Sequence, residues 1–397
     1  MMFDNVTVLP IDQQVDWCAL AAEQENTTLI VSCSKSRPEN DLLRLFCEDI
    51  AQMDETLIAQ AYASPQKILL AFVVEPQDAP AYESAAKAAT KTIKKNNPHF
   101  SWAIVILVLP MGNQGLLYTR WHSIHLATKV AARTTIITDD DLCGLATKKH
   151  PTGHKAIAIP KGRRLAALLL FHDLLFCDHR RIKTTGLFNA GAKLGLVLAQ
   201  GVANLFSTEF RLAAAQGTFR SRCVFYSQAP WELFLLYICQ CYYLNTSIFR
   251  ELKISPKNIA NTFFPPTSPT FGEDINATVL LLKKLQLLTP HMNFFYIKTP
   301  AVGGNKKNGG LTAEYQRHKH FTRMQLTLSK IDRNFVAALP LNALRCKPNL
   351  IAFKAAAVKQ WQSVGFDPGG VLGQVNKTLQ RANTKLALTM LTERLLD

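Results

Sequence analysis

The chain has 397 residues, is 48% hydrophobic and carries a formal net charge of +16. That apolar content can fill a large core, in two to three domains or in one large domain with insertions, and it excludes a disordered chain. The longest apolar run, LAALLLFHDLLF at 165–176, is interrupted by His172 and Asp173 and falls short of the ~18 to 20 residues that span a bilayer. The opening MMFDNVTVLPIDQQ lacks a basic segment followed by an apolar one. The expectation is therefore a soluble, cytoplasmic chain with no integral membrane association. Nine cysteines with no CxxC pair suit neither a disulfide framework nor a zinc knuckle, and reduced thiols are expected. Charge is divided unevenly. Residues 1–142 hold 11 Lys and Arg against 17 Asp and Glu, whereas residues 143–397 hold 34 against 12. A second half this basic points to a polyanionic partner, nucleic acid or an anionic surface, or else to a solvated basic face.

In chain order, TTLIVSCSKSR (27–37) reads as a strand ending in polar residues, followed by a helical stretch over 39–63. QKILLAFVVEPQD (66–78) is a second such strand, and the Ala-rich segment 79–96 is a helix. FSWAIVILVLP (100–110) is a third strand, nearly continuous in apolar residues. Residues 115–133 place Leu117, Trp121, Ile124 and Ala131 at helical spacing, and TTIITDDDL (134–142) is the fourth strand. Strands apolar on both faces and separated by helix-length segments predict an α/β fold with a mostly parallel sheet and right-handed crossovers. Ligands in such sheets bind beyond the carboxyl ends of the strands. Four polar clusters fall there: Ser34 to Arg37, Glu75 to Asp78, the MGNQG loop at 111–115 with Arg120 in the next helix, and Asp139 to Asp141. Beyond residue 142 the pattern loses its regularity, and from about residue 340 it turns helical.

Three adjacent carboxylates repel one another, and burial penalises each unless positive charge lies nearby. Asp139, Asp140 and Asp141 at a strand end offer hard oxygen ligands to Mg²⁺ or Mn²⁺, ions that bind a few carboxylates together with substrate phosphates. Asp also ends strands and caps helices, so the triplet gains meaning from its place on the fourth strand. Glu273 and Asp274 open a helix in TFGEDIN, where the helix dipole favours acids; a catalytic role would require one of them to take a proton from an acceptor hydroxyl. Lys35, Arg37 and Arg120 are candidates for holding phosphates. His318 and His320, in RHKHF, could offer an imidazole to a cation.

Together SKSR, EPQD, the helix with YTR, TDDDL and FGEDI resemble the GT-A family of nucleotide-sugar glycosyltransferases over roughly residues 27–325. More narrowly, GLLYTRWHSIHLA through TTIITDDDL, then SPTFGEDI and a GG…GG loop, resemble the TET-associated glycosyltransferases, related to base J and phage DNA-base glucosyltransferases. The resemblance implies a GT-A-like domain. Residues 1–26 would be an N-terminal extension, 27–145 the nucleotide-sugar-binding half, 146–335 the acceptor half and 336–397 a helical extension. It further implies that Ser34, Arg37, Glu75, Arg120, Asp139 and Asp140 bind the donor, UDP-glucose or similar. Asp139, Asp141 and His320 would ligate Mn²⁺ or Mg²⁺, and Asp274, with Glu273, would act at the acceptor. DNA carrying a hydroxymethylated base is the expected acceptor. A protein or glycan acceptor, and an inactive transferase fold that binds nucleic acid, are the alternatives.

Overall fold

The computed structural model describes residues 5–12, 26–61, 66–96, 101–148, 156–176, 202–207, 233–235, 238, 240–266, 273, 276–277, 280–281, 290–298 and 382–397. Its centre is one sheet of eleven strands. The strands are β1 (Val6–Pro10), β2 (Thr27–Cys33), β3 (Lys67–Val74), β4 (Ser101–Val108), β5 (Thr134–Asp139), β6 (Gly144–Lys148), β7 (Ala156–Ala158), β8 (Val202–Ser207), β9 (Leu233–Leu235), β10 (Cys241–Leu244) and β11 (Pro290–Lys298). They lie in the order β1-β4-β3-β2-β5-β10-β8-β11-β6-β7, with β9 paired to β11. The four strands expected from the sequence, β2 to β5, run parallel, and β1 adds a fifth parallel strand at the edge. Beyond β5 the sheet is mixed: β10 pairs antiparallel with β5 and β8, while β8 and β11 are parallel. Residues 6–10, which the resemblance assigns to an N-terminal extension, form an edge strand beside β4.

Apolar residues fill both sides of the parallel strands, and the alternation of the pleat assigns them to two layers. Ile30, Leu70, Ile104 and Ile136 face one core; Val31, Ala71, Val105 and Ile137 face the other. Helices α1 (Asp41–Ala51), α2 (Glu55–Ala61), α3 (Ala79–Asn96) and α5 (Arg164–Phe176) contribute to the first core, and α4 (Leu116–Val130) and α7 (Pro256–Phe263) to the second. Between them in sequence lies the short α6 (Thr246–Glu251), whose Phe249 joins the second core. The C-terminal α8 (Ala382–Leu396) buries Leu388 and Leu395 in the first core; the rest of the expected helical extension lies outside the described residues.

The helical stretch expected over 39–63 is two helices. Asn40 caps α1 by accepting the Leu43 N–H at 2.8 Å. The break at Gln52–Asp54 is imposed by a neighbouring turn. Gly162 has φ +84°, and a Cβ there would lie 2.0 Å from the Gln52 carbonyl oxygen, so only glycine lets the two backbones approach this closely. The Asp54 N–H then donates to the Gly162 carbonyl at 3.1 Å.

The same turn starts α5, the apolar run at 165–176. Leu165 to Phe171 are all buried, which explains a helix apolar around its whole circumference as a core element. No helix among the described residues is long and apolar enough to cross a membrane. His172 is absorbed into the core: its Nδ1 lies 3.1 Å from the Thr134 hydroxyl. Asp49, on α1, caps α5 from outside by accepting the Gly162 and Leu165 N–H groups at 2.8 and 2.7 Å, and it pairs with Arg164 Nε at 2.7 Å. Asp49 is fully buried, so its partners substitute for water.

The order β4-β3-β2-β5 fixes where a ligand can bind. From β2 the chain steps outward through β3 to β4, then returns across β2 to lay down β5. Its crossover helices consequently sit on opposite faces, α1 and α3 on one and α4 on the other, which opens a crevice beyond the carboxyl ends of β2 and β5.

Asp49→Ala takes the acceptor from Arg164 Nε, the Leu165 helix N–H and the Gly162 turn N–H in the core. Denaturant unfolding of the full chain should register a loss of about 3–5 kcal/mol; a loss below ~1 kcal/mol would show that the pair does not brace α1 against α5.

Candidate active site

Cys33 and Asp139 are register partners at the ends of β2 and β5, so the residues that follow them meet at the crevice. There the acid triplet is divided among different partners. Asp140 is buried, and its carboxylate accepts the Ser34 hydroxyl and, at 3.1 Å, Arg37 Nη1. Ser34 accepts in turn from the Tyr82 hydroxyl, which accepts the Arg37 N–H at 3.0 Å. A closed relay thus runs from the Arg37 backbone through Tyr82 and Ser34 to Asp140, and Arg37 joins both of its ends. Burial pushes the Tyr82 phenol up to about 12, which keeps it a hydrogen-bond donor at neutral pH. The Asp140 carbonyl also accepts the Leu42 N–H at 3.1 Å, tying the triplet to the first turn of α1.

Asp139 turns the other way. Its carboxylate, about one-third exposed, lies 3.5 Å from Arg120 Nη2, whose other amine donates to Glu273 at 2.5 Å. Residues 273, 276, 277, 280 and 281 are helical, and Ala277 and Leu281 pack into the second core, which holds Glu273 beside α4. Arg120 also lies 6.0 Å over the Phe264 ring. A small cavity opens beside it, lined by Cys33, Arg120, Asp139, Ile238, Tyr242 and Phe264 among others.

Asp141 receives neither arginine. Its Oδ1 is buried and has no hydrogen-bond partner. Burial first, and then the Asp139 and Asp140 carboxylates, push Asp141 up to about 7. Among the described residues no three His, Cys, Asp or Glu side chains converge as a ready-made metal cage.

Glu75, expected to line a nucleotide pocket, is almost fully buried and ties three loops together. It accepts Lys35 Nζ at 3.0 Å, the Asn113 N–H at 3.1 Å and Gln77 Nε2 at 2.5 Å. Asp78, from the same turn, accepts the Ser36 N–H at 2.8 Å. Ser36 and Asn113 both adopt left-handed φ, at 54° and 58°, and each is held there by one of these two carboxylates. The structure therefore gathers Ser34, Arg37, Asp139, Asp140 and Asp141 at one rim, with Arg120 and Glu273 alongside and Glu75 bracing the loops. Asp274, His318 and His320 lie outside the described residues.

Tyr82, Tyr242 and Phe264 are the site residues that sequence reasoning misses. Tyr82 occupies a core position of the Ala-rich helix, and helical periodicity does not distinguish a relay hydroxyl from a packing ring.

No family model matches the chain, and no curated protein matches it. Among solved structures, a protein of Desulfovibrio desulfuricans G20 described as a "putative nucleotide-diphospho-sugar transferase" aligns over 76% of this chain and 97% of its own, at 8% identity and a TM-score of 0.28. At that identity and score the likeness carries no argument, so the functional reading rests on the site itself.

Two measurements check the geometry. Ser34→Ala and Tyr82→Phe interrupt one relay, so each should cost about 1–3 kcal/mol and the pair should be non-additive in a double-mutant cycle; additive losses would break the relay. Burial raises the Cys33 thiol to about 11, despite its place at the cavity. Iodoacetamide at pH 8 should therefore label Cys33 slowly in the native chain and readily after denaturation, and rapid native labelling would contradict the site as described.

Proposed function

We propose that the chain is a divalent-cation-dependent glycosyltransferase that moves a hexose from a nucleotide sugar, UDP-glucose or similar, to a hydroxyl on a hydroxymethylated base in DNA. The observation that carries this reading is the division of the acid triplet at the crevice between β2 and β5: Asp140 is paired with Arg37 and hydrogen-bonded by Ser34, while Asp141 keeps a buried oxygen with no hydrogen-bond partner. Two arginines serve Asp139, Asp140 and Glu273 there, and Asp141 is left without one in a partly desolvated place. A hard divalent cation meets that need. The donor set also fits such an ion, because carboxylate oxygens with open positions suit Mg²⁺ or Mn²⁺ when a diphosphate completes the shell.

Asp139 and Asp141 would hold Mn²⁺ or Mg²⁺, with His320 as a candidate further ligand. Bound there, the ion would supply countercharge for a departing diphosphate. Ser34 and Arg37 would face the donor, and their contacts with Asp140 tie the loop after β2 to the end of β5. In the reaction the acceptor oxygen bonds to the anomeric carbon, the bond from that carbon to the diphosphate breaks, and the hydroxyl proton passes to a carboxylate. For an inverting reaction Asp274 is the proposed base, beside a Glu273 that Arg120 keeps paired. The net charge of residues 143–397, with 34 Lys and Arg against 12 Asp and Glu, supports a polyanionic acceptor.

Thermal shift with UDP-glucose should show stabilisation that requires Mn²⁺ or Mg²⁺ and disappears on EDTA treatment or in Asp141→Asn. Transfer to hydroxymethylated duplex DNA should fall at least ~100-fold in the same variant, about the ~2.7 kcal/mol expected when one charge-stabilising group is lost. Metal-independent stabilisation, or full activity in Asp141→Asn, would refute the reading. Transfer to protein or glycan but not to DNA would refute the acceptor alone.

A further inference from the structure

Arg120 is a natural candidate for a phosphate hook, yet both arms of its guanidinium point at carboxylates. Nη1 lies 2.5 Å from Glu273 and Nη2 lies 3.5 Å from Asp139. The side chain is only 17% exposed, Glu273 is 9% exposed, and the ring of Phe264 covers the guanidinium at 6.0 Å. Asp139 ends β5 at the acid rim, and Glu273 sits on a separate helix that packs into the second core on the same side of the sheet. One planar cation thus bridges the two acidic groups of the crevice, a task for which the forked geometry of Arg is suited and a point charge is not.

We propose that Arg120 is a positioning residue, a strut that couples the acid rim to the Glu273 helix and does not bind the donor's phosphates. This rests on the function proposed above, since it takes Asp139 as a cation ligand. The two contacts are unequal in a way that suits the role. The short bond to buried Glu273 is the anchor. The longer contact to the more exposed Asp139 is the one a divalent cation at Asp139 would compete with. Cation binding and the setting of the Glu273 helix are then linked through one side chain, and linkage of this kind is reciprocal.

The test uses Arg120→Ala, Glu273→Gln and the double variant in the full chain. With the strut, Arg120→Ala removes a competing positive charge from Asp139, so Mn²⁺ titrated alone should bind about tenfold more tightly. UDP affinity in the presence of Mn²⁺ and the donor KM should stay within about threefold, while kcat falls. Unfolding of the four proteins should show non-additive losses for Arg120 and Glu273. A phosphate hook behaves oppositely: UDP affinity drops about tenfold or more and Mn²⁺ affinity is unchanged, and either that pattern or an additive cycle overturns the proposal. Should Arg120→Ala fail to fold, Arg120→Gln, which removes the charge and keeps much of the side-chain volume, is read by the same criteria. If the unaltered protein binds neither Mn²⁺ nor UDP, the function proposed above falls, and the cycle alone decides the strut.

Discussion

The pairing of Asp140 with Arg37 and Ser34 is the interaction on which the rest of the crevice depends. A strand that buries apolar side chains on both faces ends in three consecutive carboxylates, and such a cluster is tolerable only if its charge is dispersed. The fold treats the three differently: Asp140 turns inward to the Ser34–Tyr82 relay, Asp139 sideways to Arg120, and Asp141 keeps a buried Oδ1 with no hydrogen-bond partner. Because Arg37 closes the relay through both its backbone N–H and its guanidinium, the loop after β2 cannot shift without disturbing the end of β5.

Around that pairing, the supporting contacts consist largely of carboxylates holding backbone N–H groups. Glu75 and Asp78 fix the left-handed residues Asn113 and Ser36, and Asp49 holds the first turn of α5 from across the core. Each replaces water around a polar backbone group, which lets short loops carry the rim on a rigid sheet. Acidic residues are thus divided between two tasks, bracing backbone and presenting free oxygen, and burial together with hydrogen-bond saturation distinguishes them.

Much of the framework was legible in the sequence because the physics that selects it is local. The four parallel strands announce themselves as β-branched and apolar runs of strand length, each ending in polar residues, and their order then dictates the crevice. What escaped depends on distant partners. Residues 6–10 form a strand only because β4 offers an open edge, and the break between α1 and α2 is set by Gly162, more than a hundred residues away. Arg120 reads as a phosphate ligand because Arg chemistry suits phosphates, but its anchoring contact is Glu273, and no spacing rule links the two. Glu75 reads as a donor-binding residue, and the fold buries it against Lys35, Gln77 and Asn113, because a sequence does not state how many donors a carboxylate will meet.

The account stands on a divalent ion being held by Asp139 and Asp141 beside a nucleoside diphosphate. The most direct test is anomalous diffraction at the manganese edge from crystals of the chain soaked with Mn²⁺ and UDP. A single anomalous peak within about 2.0–2.4 Å of an Asp141 oxygen, with diphosphate density beside it, is the predicted result; clear UDP density with no metal at that carboxylate would contradict it.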